Sequence, residues 1–334
     1  MAKLSPDHHL SGSQLAAYMG HSPWQDAYDV LLRARESLEG KPRPELDSLQ
    51  VDMGDATEDV TLQRGCRLVG LDPDQIATHS HTEAKKHPLM ELYYSDDGLH
   101  SVPDDEPVTF KTDEAAGIYV MTRSGQLDVS GKIVLEAKFT TTPQRENDPP
   151  LYRGPIQVQA GMMCHNAHTG IIFTNYAGRR ITAHIYPSHS QTQSAIKSAV
   201  NDFERHMAAN TWPEPRSPEE AVKLHPAPKE TEEEIELDAD LAEAVRNYQA
   251  ATDAIKNAED IKAETQATIM AALGSNSRGR IIAGNTLYHV SWPTRNYKAK
   301  PAECCPSCSY VIKPGTEAKS VRQKTITIKE QNDG

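Results

Sequence analysis

No apolar run in the chain approaches the roughly 20 residues that a membrane-spanning helix needs. The first residues, Met1-Ala-Lys-Leu-Ser-Pro-Asp-His-His9, contain no apolar signal core. A cytoplasmic protein with no membrane partner is expected. Cysteine is also scarce: five in 334 residues do not make a disulfide framework. Basic residues are outnumbered, 35 Lys and Arg against 47 Asp and Glu, for a net charge of −12. That balance argues against a protein that coats nucleic acid indiscriminately, and it leaves room for a local basic groove. Hydrophobic content of 37% and charged content of 25% suit a soluble protein, and 334 residues permit one large domain, or a core domain with an appendage.

What is present centres on residues 124–140. Ile133, Val134, Leu135, Ala137 and Phe139 suit a strand covered on both faces. Glu136 and Lys138 interrupt it, and their spacing puts both on one face. Charges inside an apolar strand are costly unless they pair or bind something. A hard divalent cation, Mg²⁺ or Mn²⁺, would take the Glu136 carboxylate and the Ala137 carbonyl. Lys138 would then orient a water or stabilise charge on a phosphate.

Such a site needs a second carboxylate, and two stand nearby. Asp97 lies in Tyr93-Tyr-Ser-Asp-Asp-Gly-Leu99, and Asp128 lies in Gly125-Gln-Leu-Asp128. A tight turn at Ser130-Gly131 would pair Glu136 with about Gly125 and set Asp128 opposite Ile133, several residues off. Asp97 is preferred, with Asp128 as its alternative. Glu58 is the acid best placed on a helix. That helix, Leu46 to Arg64, carries Leu49, Met53, Ala56 and Val60 at helical spacing as its buried side. Gly54, one turn before Glu58, costs about 1 kcal/mol and makes sense where something approaches closely.

Elsewhere, Ser11 to Tyr18 reads as a helix capped by Ser11, and Ser22-Pro23 as the start of another. Ser101 to Gly125 reads as an inserted hairpin containing Val108–Phe110 and Ile118–Met121. Pro155 opens a helix with Gln157 and Gln159. Ile171–Tyr176 and Ile181–Tyr186 read as a strand pair, and 190–210 as a closing helix. A Pro-rich, charged linker over 211–230 divides a domain over 1–210 from an appendage over 231–334. In the appendage, Leu241, Val245, Tyr248, Ala251, Ile255, Ala258 and Ile261 recur by threes and fours. Their helix either packs on its own core or contacts another copy. Ile281–Ala283 and Thr286–Trp292 read as a hairpin. Cys305-x-x-Cys308 with Cys304 is half of a zinc ribbon, and free thiols are preferred over zinc because no second pair exists.

The order of these motifs resembles the lambda exonuclease / YqaJ-type viral recombinase family, within the PD-(D/E)xK nuclease superfamily. The matching residues are Gly54…Glu58, His87-Pro88…Asp97-Gly98-Leu99, Glu136-Ala137-Lys138 and Gln157-Val158-Gln159. Ser11–Leu15 and Gly20-His-Ser-Pro-Trp24 match the family's opening helix and loop. The resemblance spans roughly residues 8 to 210. It implies an α/β (α+β) fold with a restriction-endonuclease-like core, a mixed central sheet flanked by helices, followed by a helical appendage. It implies a metal-dependent DNA exonuclease that digests linear duplex DNA 5′→3′ and leaves 3′ single strands for phage-type recombination or repair. Asp97, Glu136 and the Ala137 carbonyl would bind the metal, Lys138 would act on the water or the phosphate, and Glu58 and Gln157 would position them. Ser13, and more weakly Arg145, would hold a DNA 5′-phosphate. A ring of copies, a single-strand annealing partner and a bacterial or phage-infected host cell are further implications. An endonuclease of the same superfamily, or a non-catalytic DNA-binding or assembly protein, is the alternative.

Overall fold

The computed structural model describes residues 5–42, 48–77, 84–141, 147, 149–226, 236–284, 286–299, 303–304, 311–313, 317–322 and 327–332. Two compact units result, Met1–Lys229 and Glu230–Gly334.

The first unit runs β1 (Leu10–Ser11), α1 (Gly12–Tyr18), α2 (Ala27–Leu38), α3 (Leu49–Val69), β2 (Lys85–Lys86), β3 (Leu92–Tyr94) and β4 (Gly98–Val102). It continues with β5 (Val108–Lys111), β6 (Ile118–Val120), β7 (Gln126–Val129), β8 (Gly131–Thr140), α4 (Pro155–His165), β9 (Thr169–Tyr176), β10 (Ile181–Pro187), α5 (Ser190–Ala209) and α6 (Pro218–Leu224). Five strands form a mixed sheet in the order β4-β8-β9-β10-β6. β8 is antiparallel to β4 and parallel to β9; β10 is antiparallel to β9 and parallel to β6. This is the expected mixed sheet flanked by helices.

β8 is central because both its faces are apolar. Ile133, Val134 and Leu135 are fully buried, and their alternation sends them into two layers. Val134 joins a core with α1, α2, α4 and α5, while Ile133 and Leu135 join one with Leu62, Cys66 and Val69 of α3. By the same alternation Glu136 and Lys138 project on the Val134 side. β9 and β10 are joined by the short turn 177–180, in which Ala177 and Gly178 are both at positive φ.

Four sequence expectations are corrected. The second helix starts at Ala27, not at Ser22-Pro23, because Asp26 caps it: the Asp29 N–H donates to Asp26 Oδ1 at 3.0 Å. The insertion is not a simple hairpin. β5 pairs with β7, and the Ile118–Val120 segment instead joins the main sheet beside β10. On α3 the expected inner face lies outward, with Leu49 76% and Val60 56% exposed. Finally, residues 211–226, expected as linker, are docked on the first unit. The Trp212 ring stacks on Tyr28 at 4.4 Å under the Arg35 guanidinium. Lys223 Nζ bonds Asp26 Oδ2 and Asp29 Oδ2 at 2.7 and 2.6 Å.

The second unit comprises α7 (Leu241–Leu273), β11 (Arg278–Ala283), β12 (Thr286–Ser291), β13 (Thr294–Tyr297), β14 (Glu303–Cys304), β15 (Val311–Lys313), β16 (Lys319–Arg322) and β17 (Thr327–Asn332). β11, β12 and β17 form an antiparallel sheet, β13 pairs with β16, and β14 pairs with β15. The predicted hairpin at 281–292 is β11–β12. The apolar stripe of α7, Leu241 to Ile261, is exposed, and Leu273 at its end is buried. Cys305 and Cys308 lie outside the described residues, as does the side chain of Cys304, so the zinc ribbon expectation falls there.

Candidate active site

A cavity of about 450 Å³ opens where β8 outruns β4. β4 covers β8 only as far as the pair Gly98↔Leu135. Beyond it the Ala137 N–H has no strand partner, and the Asp97 carboxylate takes its place, accepting that N–H at 2.7 Å through Oδ2. In an extended strand a residue's N–H and C=O point to the same flank. The Ala137 carbonyl therefore faces the gap that Asp97 fills. The sequence works here through one residue of geometry: Asp97 ends the loop into β4, and Ala137 lies between the two charges of β8.

Glu136 is buried and fully engaged. Its Oε1 accepts from Lys138 Nζ at 2.5 Å and from Gln157 Nε2 at 2.6 Å. Its Oε2 accepts from the Tyr94 hydroxyl at 2.5 Å. Lys138 Nζ also donates to Gln157 Oε1 at 3.0 Å, closing a three-membered network. Gln157 reaches it from the first turn of α4, which Pro155 opens. Glu58 and Gly54 line the same cavity from α3, and Ser13 from α1. The Ser11 N–H and hydroxyl both donate to Gln14 Oε1, at 3.1 and 2.9 Å, which fixes the start of α1 beside it.

The electrostatics follow from burial and crowding. Burial, then the nearby Glu136, pushes the Asp97 carboxyl well above its ordinary range. Burial works against the Lys138 ammonium, but Glu136 and Asp97 outweigh it and hold its pKa above the usual value. Burial and the surrounding carboxylates raise the Tyr94 phenol far enough that it stays a donor.

All five residues expected to act, Glu58, Asp97, Glu136, Lys138 and Gln157, line this one cavity, as do Ser13 and Ala137. Asp128 does not. It lies on β7, in the two-stranded β5–β7 sheet, where its Oδ1 accepts from Thr109 Oγ1 at 2.6 Å, because β7 pairs with β5 instead of folding back on β8. Of the two candidate carboxylates, Asp97 and not Asp128 lines the cavity. Gln159 is turned away and buried, joining α4 to the end of β10 through Pro187 O at 2.9 Å. Arg145 lies outside the described residues.

Two participants escaped the sequence. Tyr94 is one; its signal was an aromatic three residues before Asp97 in a strand that alternates inward and outward. The other is the pair Asp96–His165, with Nε2 3.1 Å from Oδ1 and both side chains buried. It ties the loop carrying Asp97 to the end of α4.

A divalent cation fits the donors present. Two carboxylates are crowded until one is pushed toward its neutral form, and a main-chain carbonyl lies on the flank that Asp97 fills; hard cations prefer such oxygens. Among the described residues no three His, Cys, Asp or Glu side chains gather closely enough to hold a metal by themselves.

No family model and no curated protein matches the chain. Among solved structures the chain is similar to an alkaline exonuclease, LHK-Exo, from Laribacter hongkongensis. Identity is 12%, with 61% of this chain and 90% of that one covered, at a TM-score of 0.41. The same protein in complex with dAMP gives 13% identity, 61% and 89% coverage, and a TM-score of 0.40. A phage-related exonuclease from Haemophilus somnus 129PT gives 14% identity, 60% and 94% coverage, and a TM-score of 0.38.

Proposed function

We propose that the first unit is a metal-dependent DNA exonuclease, acting 5′→3′ on linear duplex DNA and leaving 3′ single strands for recombination or repair. The observation that carries the reading is the convergence of Asp97, Glu136 and Lys138 at the uncovered end of β8. Asp97, Glu136 and the Ala137 carbonyl would hold Mg²⁺ or Mn²⁺. Such an ion lowers the pKa of a bound water and neutralises charge on the scissile phosphate. Lys138, kept protonated by its neighbours, orients that water or stabilises the developing charge. Gln157 and Tyr94 fix the Glu136 carboxylate, and Glu58 adds negative charge that favours the cation. Ser13 at the start of α1 would meet a 5′-phosphate. A ring of copies around the duplex would supply processivity, and a single-strand annealing protein would take up the product strand.

The test is digestion of linear duplex DNA with Mg²⁺, with 5′-phosphoryl and 5′-hydroxyl ends and a closed circle as control. Loss of the linear phosphorylated DNA alone, abolished by Glu136→Ala, is expected. Cutting of the circle would replace the exonuclease with an endonuclease. DNA binding without cutting in either metal would leave a binding or assembly protein.

A further inference from the structure

The charge of the chain is unevenly placed. Between Ser275 and Gly334 stand ten Lys and Arg against four Asp and Glu, in a chain whose net charge is −12. The β-strands of the second unit are thus a basic island on an acidic protein, an asymmetry that points toward polyanions.

The strand register concentrates this charge. Arg280 stands opposite His289, and His289 opposite Lys329, so three basic positions form one row across β11, β12 and β17. Arg278 is two residues along and shares that face. The other face is the packed one: Val290 is buried, and a Cβ on Gly279 would meet Leu273 at 2.8 Å. Neither Arg278 nor Arg280 has an ion-pair partner among the described residues. A bound anion would supply a counter-charge to Arg278 and Arg280.

The β13–β16 ribbon adds an aromatic platform. Tyr297 pairs directly with Lys319. Its ring, 44% exposed, has the Arg295 guanidinium 5.4 Å and the Lys319 ammonium 5.9 Å from its centre. Arg322 on the opposite face is already committed. It lies over Trp292 at 4.2 Å and donates to the carbonyls of Ser275 and Asn276.

We propose that this β module binds single-stranded nucleic acid, with phosphates on Arg278, Arg280, Arg295 and Lys319 and an unpaired base stacked on Tyr297. A phenol ring between cations offers a π-face to a base that is free to stack, which a base inside a duplex is not. The site does not depend on the catalytic reading, although a strand released by digestion would suit it.

The test is fluorescence anisotropy of a labelled oligothymidylate with the full chain in EDTA, so that no cleavage intervenes. Arg278→Gln/Arg280→Gln and Arg295→Gln/Lys319→Gln are each expected to weaken binding. Each should also flatten the slope of log K against log salt by about 1.4, two phosphates at about 0.7 each. Tyr297→Leu is expected to weaken binding at least about fivefold without changing the slope. These side chains are exposed, and unchanged circular-dichroism melts will show that the unit stays folded. Unchanged affinity and slope in all three variants would overturn the proposal. So would variants that lose phosphatidylserine vesicles while keeping the oligonucleotide. Glu136→Gln separates the two readings, since it should abolish digestion and leave oligonucleotide binding intact.

Discussion

Tyr94 does for Glu136 what no residue of the Glu-x-Lys motif can do: it fixes the second carboxylate oxygen. Removing that hydroxyl leaves the ring in place and frees Oε2. Tyr94→Phe is expected to lower cleavage about ten- to a hundredfold, the range for loss of one positioning hydrogen bond in an active site. Its melting temperature should stay near wild type, and a titration of activity against Mg²⁺ should show a raised half-saturation. Unchanged metal dependence would assign Tyr94 to packing alone. The Asp96–His165 pair makes a different prediction. Both side chains are buried, so removing one partner strands the other. His165→Ala is expected to cost about 1–3 kcal/mol in a denaturant melt, because a buried carboxyl oxygen then loses its hydrogen-bond partner.

The elements account for which parts of the site could be read in advance. β8 was legible because its apolar run is broken at two same-face positions, and a half-solvated strand would instead alternate polar and apolar along its whole length. Helix α3 was misread for the opposite reason. Its inward side at Gly54, Glu58 and Thr61 meets the cavity, not apolar sheet, so it is polar where the periodicity argument expects hydrophobes. The apolar Leu49, Met53 and Val60 are left on the outside, and the helix buries its hydrophobes only further on, at Leu62 and Cys66. The distance of Asp128 from this cavity was not legible in the sequence, since nothing local says that β7 pairs with β5 and not with β8. Tyr94 depends on two helices. A Cβ on Gly12 of α1 would lie 2.7 Å from its ring, and one on Gly161 of α4 would lie 2.6 Å away on the other side. These glycines let both helices close on the ring. Gly161→Ala, which would also approach Val134 at 2.9 Å, is expected to destabilise the unit by about 1–3 kcal/mol through overpacking. Cleavage should fall further than stability accounts for, measured at a temperature where the variant is fully folded.

At the scale of the whole molecule, the strap over 211–226 ties the end of the first unit to its second helix, and its strength depends on pH. Lys223 reaches both Asp26 and Asp29. Burial would raise the Asp26 carboxyl, but the bond from Lys223 and the Asp29 N–H outweigh it and hold the carboxyl below its usual range. Burial likewise opposes the Lys223 ammonium, and the two carboxylates raise it above its usual value. A depressed carboxyl contributes stability above its unfolded pKa, near 3.9, and that contribution disappears as pH falls through the lower folded value. A raised ammonium contributes below its unfolded pKa, near 10.4, and loses it as pH rises through the higher folded value. The window of full contribution is therefore about pH 5 to 9. Lys223 is 36% exposed, so screening limits the effect to about 1 kcal/mol or less. Lys223→Met is expected to lower the melting temperature of the first unit by a few degrees at pH 7 in low salt. The difference from wild type should shrink at pH 3 and in 1 M salt. A difference that persists undiminished at pH 3 would mean that the strap is held by Trp212 on Tyr28 and by packing of α6, with the ion pairs contributing nothing measurable.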